Sequence, residues 1–327
     1  MQTGTVLHQL GLDRASVVEV LHERAGTCVC RITQEKRSYV LKWCPSGRRA
    51  TEVRAYQLLQ DLGVPTLRVH AFTDNALLLD DLATSPQWRL ASRDDVAEAG
   101  TGAAVALWYH ELHRAGRRLL RRSDAPPDFL TRECDALRVE SILSVGRKLD
   151  MADNAVWELA ATHIEAIKAA MRSLPETLNY NDFHWTNMAL SRREPIQAVV
   201  FDYHLLGIGP AYSDYRNVIG SLQAQAAATF REAWGPVEER ERILDGPVST
   251  LSALQVAVEQ EQLPEWARGL IEDVRKGELQ EALLRAISIL WLPPPLRPGG
   301  WCGRRRARRT CRSRRRGRRR GRGSRLP

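Results

Sequence analysis

The hydrophobic period of this 327-residue chain changes at Leu82, and that change limits the folds open to it. Before Leu82, short runs rich in β-branched residues recur: "VVEVLHE" (17–23), "CVCRITQ" (28–34), "SYVLKW" (38–43), "LRVHAFT" (67–73) and "ALLLDDL" (76–82). Such residues suit a pleated, half-buried surface, and the intervening "RAGT", "EKR" and "DN" have the chemistry of turns. One segment differs. "RATEVRAYQLLQDLG" (49–63) sets Val53, Tyr56, Leu58, Leu59 and Leu62 along a helical stripe that Gly63 ends. After Leu82 helical patterns dominate, over 93–115, 127–147, 154–173, 212–233 and parts of 249–290. The exception is 177–204, where short apolar runs alternate with polar loops. A sheet-rich lobe followed by a helical one predicts an α+β architecture with a ligand cleft between them. The expected division is 1–82, 83–290 and a tail, 291–327.

Composition narrows the class. Hydrophobic residues make up 43% and charged residues 27%, ordinary values for a globular protein. No apolar run approaches the roughly 20 residues that span a bilayer. The first residues lack the basic-then-apolar order of a secretion signal, so a cytoplasmic protein without a membrane partner is expected. Cys28 and Cys30 stand two apart, not three, so the six cysteines are read as free thiols rather than a redox or zinc site. The net charge of +9 belongs to one end: residues 297–327 hold fifteen arginines and no lysine or acidic residue, and the rest of the chain is acidic. Three readings of that tail stand open: a disordered nucleic-acid-binding arm, a solvated appendage, or an out-of-frame translation of GC-rich DNA. A nucleic-acid partner is expected only under the first.

The chemistry concentrates in "NYNDFHWTNMAL" (179–190) and "AVVFDYH" (198–204). Asp182 and Asn187 lie five apart, and Asp202 follows Asp182 by twenty residues, just after a buried run. Phosphoryl transfer from ATP needs a carboxylate near the attacking hydroxyl, oxygen ligands for Mg2+ and a cation on the phosphates. Aspartate and asparagine oxygens suit such a hard ion.

This pair of segments resembles the catalytic loop of the aminoglycoside phosphotransferase and choline kinase-like family, H-G-D-x-H-x-x-N followed by a strand and "I-D-W". The resemblance implies a two-lobed, protein-kinase-like fold and a small-molecule kinase using ATP and Mg2+. In it, Asp182 would be the catalytic base, with Asn187 and Asp202 as metal ligands. Tyr180 and Asn181 depart from the family's histidine and glycine, although asparagine tolerates left-handed backbone. His184 matches the second histidine and is read as bracing the loop. By the same resemblance, Lys42 in "YVLKW" would pair with phosphates and Glu52 would orient it. Backbone groups at Asp80 and Leu82 would meet adenine, and Gly26 with Thr27 would form the phosphate loop. Asp214 in "GIGPAYSDYRNV" would cap a helix and brace the catalytic loop.

The acceptor is expected to be a small-molecule hydroxyl, as on an aminoglycoside, amino alcohol or sugar. Residues 223–281 carry twelve acidic and six basic residues, including Glu238, Glu239, Glu241, Asp245, Glu259, Glu261 and Glu265. An acidic wall would favour a cationic acceptor, and a solvated helical surface would give the same count. Trp185, Tyr203, Trp234 and Trp266 could offer a stacking face or simply fill the core. Two other functions share the sequence: a nucleotide-binding pseudokinase without turnover, and nucleic-acid binding through the tail.

Overall fold

Glu35 and Lys36 take left-handed backbone conformations, with φ of 48° and 73°. A two-residue hairpin turn requires this, and the turn sets β2 (Thr27–Gln34) against β3 (Arg37–Trp43). With β1 (Ser16–Arg24), β4 (Val69–Thr73) and β5 (Ala76–Asp80) they form an antiparallel sheet in the order β1-β2-β3-β5-β4. The fold is that of a computed structural model, which describes residues 2–12, 16–24, 26–44, 50–122 and 125–291. The arginine-rich segment and the roles considered for it lie outside the described residues.

The apolar run "ALLLD" of β5 is continuous because both faces of this strand are covered. Leu78 joins Ile32, Leu41 and Val6 on one face, the last from α1 (Gln2–Gln9). Leu77 and Leu79 meet Val53, Tyr56 and Leu59 of α2 (Ala50–Asp61) on the other. The α2 stripe therefore lies where its sequence placed it. Helix α1, whose eight residues include one glycine and two threonines, gave no such signal.

Past Leu82 come β6 (Trp88–Leu90), α3 (Ala99–Arg122), α4 (Val139–Lys148), α5 (Val156–Arg172) and β7 (Thr177–Asn179). Then follow β8 (Met188–Ser191), β9 (Ala198–Val200), β10 (Gly207–Gly209), α6 (Tyr212–Ile219), α7 (Ala224–Trp234), α8 (Glu239–Val258), α9 (Ala267–Arg275) and α10 (Glu278–Ser288). Strands β6, β8 and β9 form one small sheet, and β7 with β10 another. Among the described residues this is a small sheet-rich lobe followed by a larger, mostly helical one.

Three helix boundaries differ from the periodicity. The helix expected over 127–147 begins at Val139, after a short 3-10 turn at Glu133–Ala136. The helix expected over 212–233 is two, separated at 220–223. Helix α8 starts at Glu239, well before 249, and continues through Pro247.

Gly116 of α3 lets that helix lie directly on β7, the strand that leads into the loop carrying Asp182 and Asn187. A Cβ there would stand 2.2 Å from the amide nitrogen of Leu178. Gly116→Ala should destabilise the protein by about 1–3 kcal/mol, read from urea unfolding, because backbone must move to admit the methyl group. A second expectation concerns the α6–α8 junction, where Glu241 Oε2 accepts from the Tyr212 amide at 3.1 Å. Burial pushes the Glu241 carboxyl from 4.5 up to about 7. The folded state thus holds this proton more tightly than the unfolded one. Its stabilising effect is complete below about pH 4.5 and fades as pH rises through 7. Glu241→Gln should raise the Tm at pH 8 and leave it nearly unchanged at pH 4.

Candidate active site

The loop after β7 has no ladder to hold it, so side chains give it its shape, the most buried of them Asp214. Asp214, in the first turn of α6 and fully buried, accepts from the amides of Tyr180 (3.0 Å) and Asn181 (3.1 Å) through Oδ1. Its Oδ2 accepts from Asn179 Nδ2 at 3.2 Å and lies 2.9 Å from His113 Nε2 on α3. Asp214 thus braces the loop, as the resemblance implied, while Ala211 holds the N-cap position. Asn181 adopts φ of 64°, the left-handed geometry that asparagine accepts more readily than most residues. Tyr180 is fully buried, and its hydroxyl donates to the Phe201 carbonyl. It therefore ties the loop to the end of β9. His184 Nδ1 lies 2.8 Å from Thr186 Oγ1 and accepts from the Thr186 amide at 3.4 Å, bracing the turn 185–187.

These constraints gather the predicted polar residues. Asn187 Nδ2 donates to Asp182 Oδ2 at 3.0 Å and to the Asp182 carbonyl at 3.3 Å, which turns the carboxamide oxygen the other way. The Phe201 amide donates to the Asn187 carbonyl at 2.9 Å, setting Asp202 beside the loop. Asp202 is itself left-handed, at φ of 68°. Lys42 Nζ, arriving from β3, lies 2.7 Å from Glu52 Oε1 and 2.8 Å from Asp202 Oδ1. His204 Nδ1 stands 2.7 Å from Asp202 Oδ1 and 4.0 Å from Asp182 Oδ2. Sequence reasoning passed over His204, although it ends the quoted "AVVFDYH".

The two aspartates are driven apart in acidity. Burial raises the Asp182 carboxyl above the usual aspartate value, against the pull of His204. Burial acts the same way on Asp202, but the His204 hydrogen bond and the Lys42 charge outweigh it and hold that carboxyl well below the usual range. One carboxyl is thus the more basic of the two and the other is kept ionised.

Two cavities flank this line. The first, of about 710 Å³, has Thr27, Lys42, Glu52, Asp80, Leu82, Asn187 and Asp202 on its wall. Gly26 lies in the β1–β2 turn at φ of 74°, outside that wall, as does Asp182. The Asp80 amide donates to the Arg68 carbonyl at 3.2 Å. Two wall residues had no sequence signal: Arg31 Nε donates to Asp81 Oδ2 at 2.8 Å, and Ser38 Oγ donates to the same oxygen at 2.6 Å. The second cavity, of about 560 Å³, has on its wall Asn181, the residue before Asp182, and His204, whose Nδ1 stands 4.0 Å from Asp182 Oδ2; Asp182 itself does not line it. Trp266 lines it, whereas Trp234 packs beside Phe230, Tyr203 is fully buried, and Trp185 is half-buried beside His184. The seven acidic residues named from the sequence do not line this cavity.

A hard divalent ion bound with phosphates needs only one or two protein oxygens, the remainder coming from phosphate and water. The Asn187 carboxamide oxygen and the ionised Asp202 on one cavity wall fit that demand. Asp214→Ala should destabilise the protein by about 3 kcal/mol in urea unfolding, because it strands buried amide donors. Asp214→Asn, which keeps one acceptor oxygen, should lose less.

A model of the phosphotransferase enzyme family matches residues 18–244. No curated protein matches the sequence. Among solved structures, choline kinase LicA from Streptococcus pneumoniae aligns with a TM-score of 0.55 at 12% identity, covering 88% of this chain and 99% of that one. Macrolide 2'-phosphotransferase MphH from Brachybacterium faecium gives 0.53 at 12%, covering 90% and 100%. The GDP and kanamycin complex of APH(2")-IIia gives 0.50 at 13%, covering 88% and 97%. Identities this low speak to the fold, which is the two-lobed, kinase-like one. The family match spans well over half of the sequence, and by it the chain belongs to the phosphotransferase enzyme family.

Proposed function

We propose that this chain transfers the γ-phosphoryl group of ATP, held with Mg2+, to a hydroxyl of a small molecule. The observation that carries the reading is Lys42 Nζ, 2.7 Å from Glu52 and 2.8 Å from Asp202, with Asp182 on the adjoining loop. In this reading 1–82 is the nucleotide-binding lobe and 83–290 carries the catalytic loop and acceptor site. Backbone at Asp80 and Leu82 meets the base, while Thr27, on the cavity wall, faces the phosphates and Gly26 shapes the turn before it. Lys42, oriented by Glu52, holds the non-transferred phosphates.

Asp182 accepts the proton of the attacking hydroxyl. Asn187 occupies its Oδ2, which leaves Oδ1 to receive the proton. Burial makes this carboxylate more basic than a solvated one, the direction a general base requires. Asn187 and Asp202 hold the Mg2+, which neutralises charge on the phosphoryl oxygens. The shared fold with APH(2")-IIia, solved with GDP and kanamycin, supports nucleotide use. Among the described residues no helix is long and apolar enough to cross a membrane.

The test is ADP release from ATP and Mg2+ with a panel of hydroxyl acceptors, GTP being run in parallel. Asp182→Asn should lower turnover about 10²- to 10⁴-fold while nucleotide binding, followed by calorimetry, persists. Equal turnover in that variant would remove Asp182 from the mechanism. Tight ATP binding with no turnover on any acceptor would instead favour a pseudokinase.

A further inference from the structure

We infer that the Arg31–Asp81 ion pair shapes the end of the 710 Å³ cavity that takes the nucleotide base, which makes both residues positioning residues for the base and not for the phosphates. The inference rests on the phosphotransfer reading, in which the base lies at Asp80 and Leu82, and deepens it.

Strand register sets the two ends of this cavity apart. Lys42 pairs with Val29 of β2, whereas Val40, two residues earlier on β3, pairs with Arg31 on one side and Leu79 on the other. Arg31, Val40 and Leu79 thus form one cross-strand row of the wall, and Val29 with Lys42 lies in the next. Two residues of strand span roughly 6–7 Å. The Arg31 row is the one beside Asp80, where β5 ends, and the Lys42 row is set back toward Glu52 and Asp202.

Asp81 follows β5 directly and shapes the turn there. Its carbonyl accepts from the Thr84 amide at 3.1 Å, and its Oδ1 accepts from the Ala83 amide at 3.1 Å. These bonds close residues 81–84 into a turn with Leu82 at the second position, so the turn sets the direction of the Leu82 backbone groups. The other carboxylate oxygen, Oδ2, accepts from Arg31 Nε at 2.8 Å and from Ser38 Oγ at 2.6 Å. Burial opposes ionisation of Asp81, yet the bonds from Ser38, the Ala83 amide and Arg31 hold its carboxyl below the usual aspartate range. Arg31 is gripped at its far end by Glu19, its cross-strand neighbour on β1, through Nη1. A line of charge therefore runs from β1 through β2 to the turn. Among the described residues Arg31 is the only cation paired with Asp81, whose side chain is 2% exposed. Without it a buried carboxylate is left with neutral partners alone, and the turn must yield toward water.

The experiment is calorimetric binding to the full chain, with Mg2+, of ATP and of tripolyphosphate, which carries the phosphates without a base. Arg31→Met keeps an aliphatic stem and should raise the Kd for ATP about tenfold, the scale of a segment left to be ordered on binding. The Kd for tripolyphosphate should stay within about twofold on the same scale. Adding Asp81→Asn to Arg31→Met should weaken ATP no further, because both changes remove one interaction. Glu19→Gln, an exposed change with little folding risk, loosens the same guanidinium and should raise the ATP Kd about threefold, the scale of an exposed ion pair. An ATP Kd unmoved in both Arg31→Met and Glu19→Gln, or equal losses for ATP and tripolyphosphate, overturns the inference and leaves phosphotransfer standing. Losses from Arg31→Met and Asp81→Asn that simply add overturn it as well. A loss confined to ATP, in a chain that turns over no hydroxyl acceptor, supports the inference and sinks phosphotransfer. An unaltered chain that binds neither ligand overturns both.

Discussion

The ammonium of Lys42 is a point at which carboxylates from both sides of Leu82 meet one cation. It is drawn from β3 and held at under 3 Å by a carboxylate of α2 and by one that follows β9. Its side chain is only 11% exposed and that of Glu52 only 2%. Charges so removed from water persist only when paired, and deleting one partner strands the other. The sheet register that presents Lys42, the α2 stripe that presents Glu52 and the turn that presents Asp202 must therefore all be correct together. The hairpin at Glu35–Lys36 and the two-sided burial of β5 fix the first of these. The second follows from Val53, Tyr56 and Leu59 docking on Leu77 and Leu79.

Around that ion, two aspartates of identical chemistry acquire opposite characters from their neighbours. Both are partly withdrawn from water, which disfavours ionisation. Only Asp202 receives a cation and an imidazole at hydrogen-bond distance, so only Asp202 is kept firmly ionised. Asp182 keeps a neutral carboxamide as its nearest partner and stays the more basic of the two. The division of labour proposed for them is thus a property of their surroundings. The left-handed backbone at Asp202 belongs to the same arrangement, since it accompanies the turn that brings His204 back toward the carboxylates.

What the chain disclosed in advance was local. The spacing of Asp182, Asn187 and Asp202, the position of Lys42 and Glu52, and the change of period at Leu82 are all written within short windows. The tolerance of asparagine for positive φ could also be read at Asn181, and the structure uses it. What stayed hidden depends on partners distant in sequence. Tyr180 looks like a loss beside the family's histidine until its hydroxyl is found bonded to the Phe201 carbonyl. Arg31 and Asp81 are fifty residues apart and meet in one cavity. The helix break at 220–223 and the run through Pro247 were misplaced because weak propensities yield to tertiary packing.

The brace supplied by Asp214 has a consequence for the order in which the molecule acquires its working shape. The segment it shapes is complete by Asn187, yet the brace lies beyond three further strands and a helix start. Until α6 docks, the amides of Tyr180 and Asn181 lack their acceptor. The loop's shape is thus dictated in part from downstream, and any chain that ends before residue 214 carries the motif without this brace.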